Sequence, residues 1–284
     1  MKMIVNDINL NIHIEGEGIP ILLLHGFPDS HAVWRKMTPL LVQAGYKVIA
    51  PDLRGFGQSD APKGRKNYTI ERIMKDIIAL LDKLQIDKAH LVGHDWGAMI
   101  GWFLAGHYSN RFYSYTAISV GHPKAYATAG WAQKRKSTYI LIFQLRGIAE
   151  KLFKINNWAV LRKSTNNHPE IKRWIEDLSR TGRLTAGMNW YRANLKTFIF
   201  SDFPRCTIPT MGVWPSREVV LLEEQMRNSQ IFVDDVWRYE RLVGCGHWAL
   251  LDAPKTVTEL ILDFINFPIP GTLAQYRGMP DTSE

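Results

Sequence analysis

Apolar and polar residues alternate through the first fifteen positions: Ile8, Leu10, Ile12 and Ile14 against Asn9, Asn11, His13 and Glu15. A period of two marks a strand with one buried face. Residues 3–5, turned back across Asn6-Asp7, supply its antiparallel partner. The pattern then changes. Ile19–Leu24, Tyr46–Ala50 and Ala89–Val92 are unbroken apolar runs, closed by His25-Gly26, Pro51-Asp52 and Gly93-His94. Strands buried on both faces read this way, and in parallel sheets the working edge lies at their C-terminal ends. Helical patterns fall between them at 34–44, 70–84 and 97–107. The last is apolar nearly all round and is expected to be buried. Further strands are expected at Tyr113–Val120, Thr210–Trp214 and Trp237–Val243, with helices at 219–228 and 254–265. Alternating strands and helices imply an α/β protein whose mostly parallel sheet is covered by helices on both faces.

Residues 122–205 break that rhythm. They hold no strand pattern and read as helices at 128–145, 169–180 and 184–199, with Pro169 suited to a helix start and Gly182 to a helix end. A helical block inserted after a core strand predicts a lid. The expected organisation is a core of residues 1–121 and 206–284 with a cap of 122–205. The Pro- and Gly-rich tail after Phe267 is expected to be irregular.

The 284 residues include ten Trp, ten Tyr and twelve Phe, ample apolar area for a packed core and against disorder. Two cysteines, Cys206 and Cys245, exclude a disulfide scaffold and a Cys-rich zinc site. Placed near opposite ends of neighbouring strands, they are too far apart to bridge. The N-terminus has no apolar run typical of a secretion signal, and no stretch nears the ~20 residues of a membrane span, so a cytoplasmic protein is expected. The net charge is +8, but residues 122–205 alone carry sixteen Lys and Arg against five Asp and Glu. A basic segment suits nucleic acid or an acidic lipid surface. Here the charges are scattered among apolar residues, so a solvated helical surface is expected, with no nucleic-acid partner and no membrane insertion.

Gly93-His94-Asp95-Trp96-Gly97-Ala98 sits between an apolar strand and a buried helix. Small residues two before and two after a central polar residue suit a sharp strand–turn–helix elbow that displays a nucleophile. Asp95 there is either that nucleophile or an ordinary helix cap. His25-Gly26-Phe27-Pro28, Asp52-Leu53-Arg54-Gly55-Phe56-Gly57 and Gly246-His247-Trp248 follow other strands. His247, late in the chain, suits a base at neutral pH or a hydrogen-bonded structural residue.

Together these four motifs, in this order, resemble those of the α/β-hydrolases, and within them the aspartate-nucleophile branch of epoxide hydrolases and haloalkane dehalogenases. The resemblance spans nearly all of residues 1–267. It implies an alkyl ester on Asp95, hydrolysed by water that His247 activates. It puts the acid behind His247 at Glu218, where the family more often has Asp. Backbone N–H groups of Phe27 and Trp96 become the expected oxyanion donors, and a cis bond is expected before Pro28. His25 and His94 become structural members of their motifs. Ser137–Gln144 and Gly187–Asn194 resemble the stretches that carry the lid tyrosines of epoxide hydrolases, which nominates Tyr139 and Tyr191 as donors to an epoxide oxygen. The implied substrates are a small-molecule epoxide and water, with no cofactor and no metal. A dehalogenase is the alternative, although Phe27 stands where such enzymes have a halide-binding Asn. A non-catalytic binding protein on the same fold is the remote one.

Overall fold

The computed structural model describes residues 1–200 and 203–266. Eight strands form one sheet in the order β1-β2-β4-β3-β5-β6-β7-β8. These are β1 (Lys2–Val5), β2 (Ile8–Glu15), β3 (Ile19–Leu24), β4 (Tyr46–Pro51), β5 (Ala89–His94), β6 (Phe112–Ile118), β7 (Thr210–Pro215) and β8 (Trp237–Leu242). The alternating β2 lies antiparallel between β1 and β4, as its half-buried pattern requires. From β4 to β8 every pairing is parallel. The continuous apolar runs are buried throughout in β5 and β7.

Strand order reverses between β3 and β5, and such a switch point opens a crevice at the C-terminal edge. Leu24 pairs with Gly93, His94 with Ile118 and Ile118 with Val213. The chain segments carrying Phe27, Asp95 and Glu218 therefore leave the sheet side by side.

The core helices are α1 (Thr38–Gln43), α2 (Ile70–Lys83) and α3 (Trp96–His107). As its composition predicts, α3 is buried from Trp96 to Ala105. The helix expected at 34–44 is split into a 3₁₀ turn at His31–Trp34 and α1. Pro39, in the first turn of α1, cannot donate to a preceding helix and so starts a new one.

Between β6 and β7 lie only helices among the described residues: α4 (Pro123–Thr128), α5 (Gly130–Lys136), α6 (Tyr139–Phe143), α7 (Ile148–Ser164), α8 (Ile171–Ser179) and α9 (Arg183–Phe200). In place of the single helix expected at 128–145 stand the short α5 and α6, parted at Ser137-Thr138, with α4 ending at Thr128 just before Gly130, whose φ is +77°. The sequence pattern misses α7. Its first half carries apolar residues on two faces, and Asn156, Asn157 and Trp158 turn into left-handed backbone, so no single stripe stands out. After β7 come α10 (Glu223–Arg227), α11 (Ala249–Asp252) and α12 (Pro254–Asn266). Residues 219–222, expected to be helical, form an irregular bend because the amides of Val220 and Leu222 are used elsewhere, as described below. Both cysteines are free and buried. Cys206 lies four residues before β7, bridged to Val233. The tail after Phe267 lies outside the described residues.

Candidate active site

Asp95 occupies the turn between β5 and α3 with φ +53° and ψ −120°. A non-glycine residue held there costs on the order of 1–3 kcal/mol. The elbow closes only because its neighbours are small. A Cβ on Gly93 would stand 2.4 Å from the Gly97 carbonyl oxygen, and one on Gly97 would stand 2.0 Å from that of Leu24.

The turn presents the Asp95 carboxylate to two backbone donors. The Phe27 N–H donates to Oδ1 at 2.7 Å, and the Trp96 N–H also donates to the carboxylate. Phe27 follows β3, and the peptide bond from Phe27 to Pro28 is cis. On the other side, Oδ2 lies 3.7 Å from Nε2 of His247. The opposite ring nitrogen of His247, Nδ1, donates to Oε2 of the fully buried Glu218 at 2.5 Å. Oε1 of Glu218 accepts the Val220 N–H at 2.8 Å. The extra methylene of Glu is thus accommodated by a tight turn after β7. His94 fixes the His247 backbone, its Nε2 lying 2.8 Å from the His247 carbonyl oxygen. Burial brings the His94 pKa down to about 4, so this ring is neutral and Nε2–H is the donor. His25 is likewise structural: its Nε2 accepts the Leu53 N–H at 2.9 Å.

Charge in this cluster is coupled. Burial favours the neutral carboxyl of Asp95, but the hydrogen bond and charge of His247 outweigh it, and Asp95 lies below the usual carboxylate range. Glu218 shifts the same way, burial again being overcome by His247. Burial opposes the imidazolium of His247, yet the charge of Glu218 and the hydrogen bond with Asp95 raise its pKa to about 10. The resting site is therefore two carboxylates flanking an imidazolium.

Tyr191 is set over this cluster by α9. Trp190 donates to the Arg54 carbonyl at 3.0 Å, and the Asn194 side chain accepts the Ile70 N–H at 2.9 Å, locking the helix to the core. Arg192 donates from Nε to the Phe143 carbonyl at 2.5 Å and pairs with Glu150, joining α9 to α6 and α7. Tyr139, the first residue of α6, is brought beside Tyr191, their ring centroids 5.9 Å apart. The Trp96 indole packs edge-on against Tyr191 at 5.0 Å and shares a hydrogen bond with it. Burial above all, with the Asp95 charge, holds both phenols well above the usual value, Tyr126 adding to the rise of Tyr139 and Tyr139 to that of Tyr191, so both are neutral donors.

A cavity of about 280 Å³ reaches Asp95, His247, Tyr139 and Tyr191 and is walled by Phe143 and Phe153. A smaller one of about 50 Å³ touches Asp95, Tyr139 and Tyr191 from the other side, beside Trp96 and Met99. The sequence named five polar side chains and two backbone amides; the geometry brings all seven residues together. It gave no sign of Phe153, which lies on the unforeseen α7. Three hydrogen bonds from α5 also escaped it. The buried Gln133 accepts the Leu222 N–H at 2.8 Å and donates to the Val220 carbonyl at 3.3 Å, and Lys136 donates to the Val219 carbonyl at 2.7 Å. These bonds tie the irregular segment 219–222 to the cap. Among the described residues no cluster of three or more His, Cys, Asp or Glu is arranged to hold a metal, and no helix is long and apolar enough to cross a membrane.

Residues 19–254 match the model of the α/β hydrolase fold family, and the chain belongs to that family. Its similarity runs to the epoxide hydrolase group within it. It is 33% identical over 285 residues to human Epoxide hydrolase 4, covering 92% of this chain and 77% of that protein. It is 32% identical over 281 residues to AB hydrolase superfamily protein YfhM of Bacillus subtilis, covering 92% and 95%. The epoxide hydrolase VrEH1 of Vigna radiata superimposes with a TM-score of 0.81 at 27% identity, over 93% of this chain and 97% of that one.

Proposed function

We propose that the chain is an epoxide hydrolase, converting an epoxide to a vicinal diol through an ester on Asp95. The observation that carries this reading is the meeting of the ionised Asp95 with the neutral phenols of Tyr139 and Tyr191 at one cavity. Asp95 attacks a ring carbon, a C–O bond to the carboxylate forms, and the ring C–O bond breaks. The departing oxygen takes a proton from a tyrosine. The imidazolium of His247 gives up its proton to make good that loss, which leaves His247 neutral. Loss of the Asp95 charge on esterification favours the same change, since that charge helped to hold the proton. Neutral His247 then takes a proton from water, hydroxide adds to the ester carbon, and the N–H groups of Phe27 and Trp96 receive the oxyanion. Collapse breaks the acyl C–O bond to the alcohol, the leaving oxygen takes the proton of the added hydroxyl, and the diol and the Asp95 carboxylate are freed.

The hydrogen bond of the Trp96 indole with Tyr191 supports this reading over halide release, because the indole donor is directed at a phenol rather than at a leaving halide. A paired assay tests the choice: diol is expected from a simple epoxide, with no halide from a haloalkane of like size. Halide release without diol would overturn it.

Glu218 acts through His247 as a positioning residue. Glu218→Gln is expected to slow ester hydrolysis by roughly 10²–10⁴ and alkylation by much less. Rapid-quench mass analysis, which follows the two steps separately, should show the ester accumulating. A silent Glu218→Gln would remove Glu218 from this role.

A further inference from the structure

The outer surface of the cap is unusually apolar. Seven of the fourteen exposed large hydrophobic residues among the described positions fall within residues 131–155. Trp131 is 85% exposed and Leu141 62%, and Leu145, Ile148, Leu152 and Ile155 follow. Ile148, Leu152 and Ile155 are spaced i, i+4, i+7, one side of the first two turns of α7, whereas Ala149 and Phe153 on another side are buried. Isolated exposed apolar side chains are ordinary; a contiguous stretch of them marks an interaction surface.

The same stretch is basic. Lys134, Arg135, Arg146, Lys151 and Lys154 are all exposed. Residues 129–165 hold eight Lys and Arg against one acid, Glu150. That acid is occupied by the buried Arg192, which keeps its pKa at about 2. Trp131 and Leu141 share an open groove with Lys134 and Arg135, and Lys134 sits over the Trp131 ring at 5.2 Å.

We propose that this face of the cap docks on the surface of an anionic phospholipid bilayer. Exposed Leu, Ile and Trp side chains would enter the headgroup boundary while the interleaved Lys and Arg meet the lipid phosphates. A second copy of the chain fits poorly, since a two-fold contact would press like charge on like charge. Docking needs no spanning helix, and it does not depend on the reaction assigned to Asp95.

The test is sedimentation with large vesicles of phosphatidylcholine alone or enriched in phosphatidylglycerol. The protein is expected to bind the anionic vesicles only, and to leave them as salt rises past the range where surface charge is screened. The pair Leu145→Ser with Leu152→Ser, and separately the pair Lys134→Glu with Lys151→Glu, are expected to weaken binding by roughly tenfold or more each. Circular dichroism and melting of the variants check that the fold is kept. No binding of the wild-type chain to anionic vesicles at low salt would overturn the proposal. So would binding that survives the apolar pair unchanged, or a dimer in sedimentation velocity that the apolar pair dissolves.

Discussion

A His247→Gln variant given a simple epoxide is expected to gain one substrate mass and stop. Asp95 needs no general base to attack, and the Phe27 and Trp96 N–H groups still hold its carboxylate once the imidazolium is gone, whereas water cannot open the ester without a base. Intact-protein mass spectrometry should show a single adduct, and peptide mapping should put it in the segment around Gly93–Gly97. Asp95→Ala should show neither adduct nor turnover. The competing scheme, direct attack by water with Asp95 as base, leaves no adduct on either variant. A folded, substrate-binding His247→Gln protein without an adduct would therefore overturn the assignment of Asp95 as nucleophile.

Tyr139→Phe and Tyr191→Phe carry the second large effect. Each keeps the ring and its packing against Phe143 and removes one donor to the leaving oxygen. Each is expected to slow alkylation by roughly 10²–10⁴, and the double variant should be nearly inactive. Single-turnover adduct formation in a His247→Gln background reads this step alone. Wild-type alkylation by both single variants would sink the epoxide reading and favour halide displacement.

Much of this was readable in the chain. The elbow is legible because few residues tolerate its geometry, so Gly93 and Gly97 mark it on either side of Asp95. Continuous apolar strands are legible because burial on both faces leaves no alternation to confuse them. Glu218 was reachable only through the resemblance, since nothing local distinguishes it from the neighbouring Arg217 and Val219 as part of a site. The cap was the least legible. Short helices such as α5 and α6 are bounded by tertiary contacts rather than by caps, and a helix apolar on two sides hides its period. Residues 219–222 failed for a related reason: the Leu222 amide and the Val219 and Val220 carbonyls bond to Gln133 and Lys136, more than eighty residues away, which no window of local pattern can register.

Helix α5 is only seven residues long, yet it faces two ways. Its outer side carries Trp131, Lys134 and Arg135. Its inner side, through Gln133 and Lys136, holds the strip that ends at Glu218. Two turns of helix cannot tilt at one side and stay still at the other. One short helix thus has the exposed cap surface on one side and, through Gln133 and Lys136, the support of the strip behind Glu218 on the other.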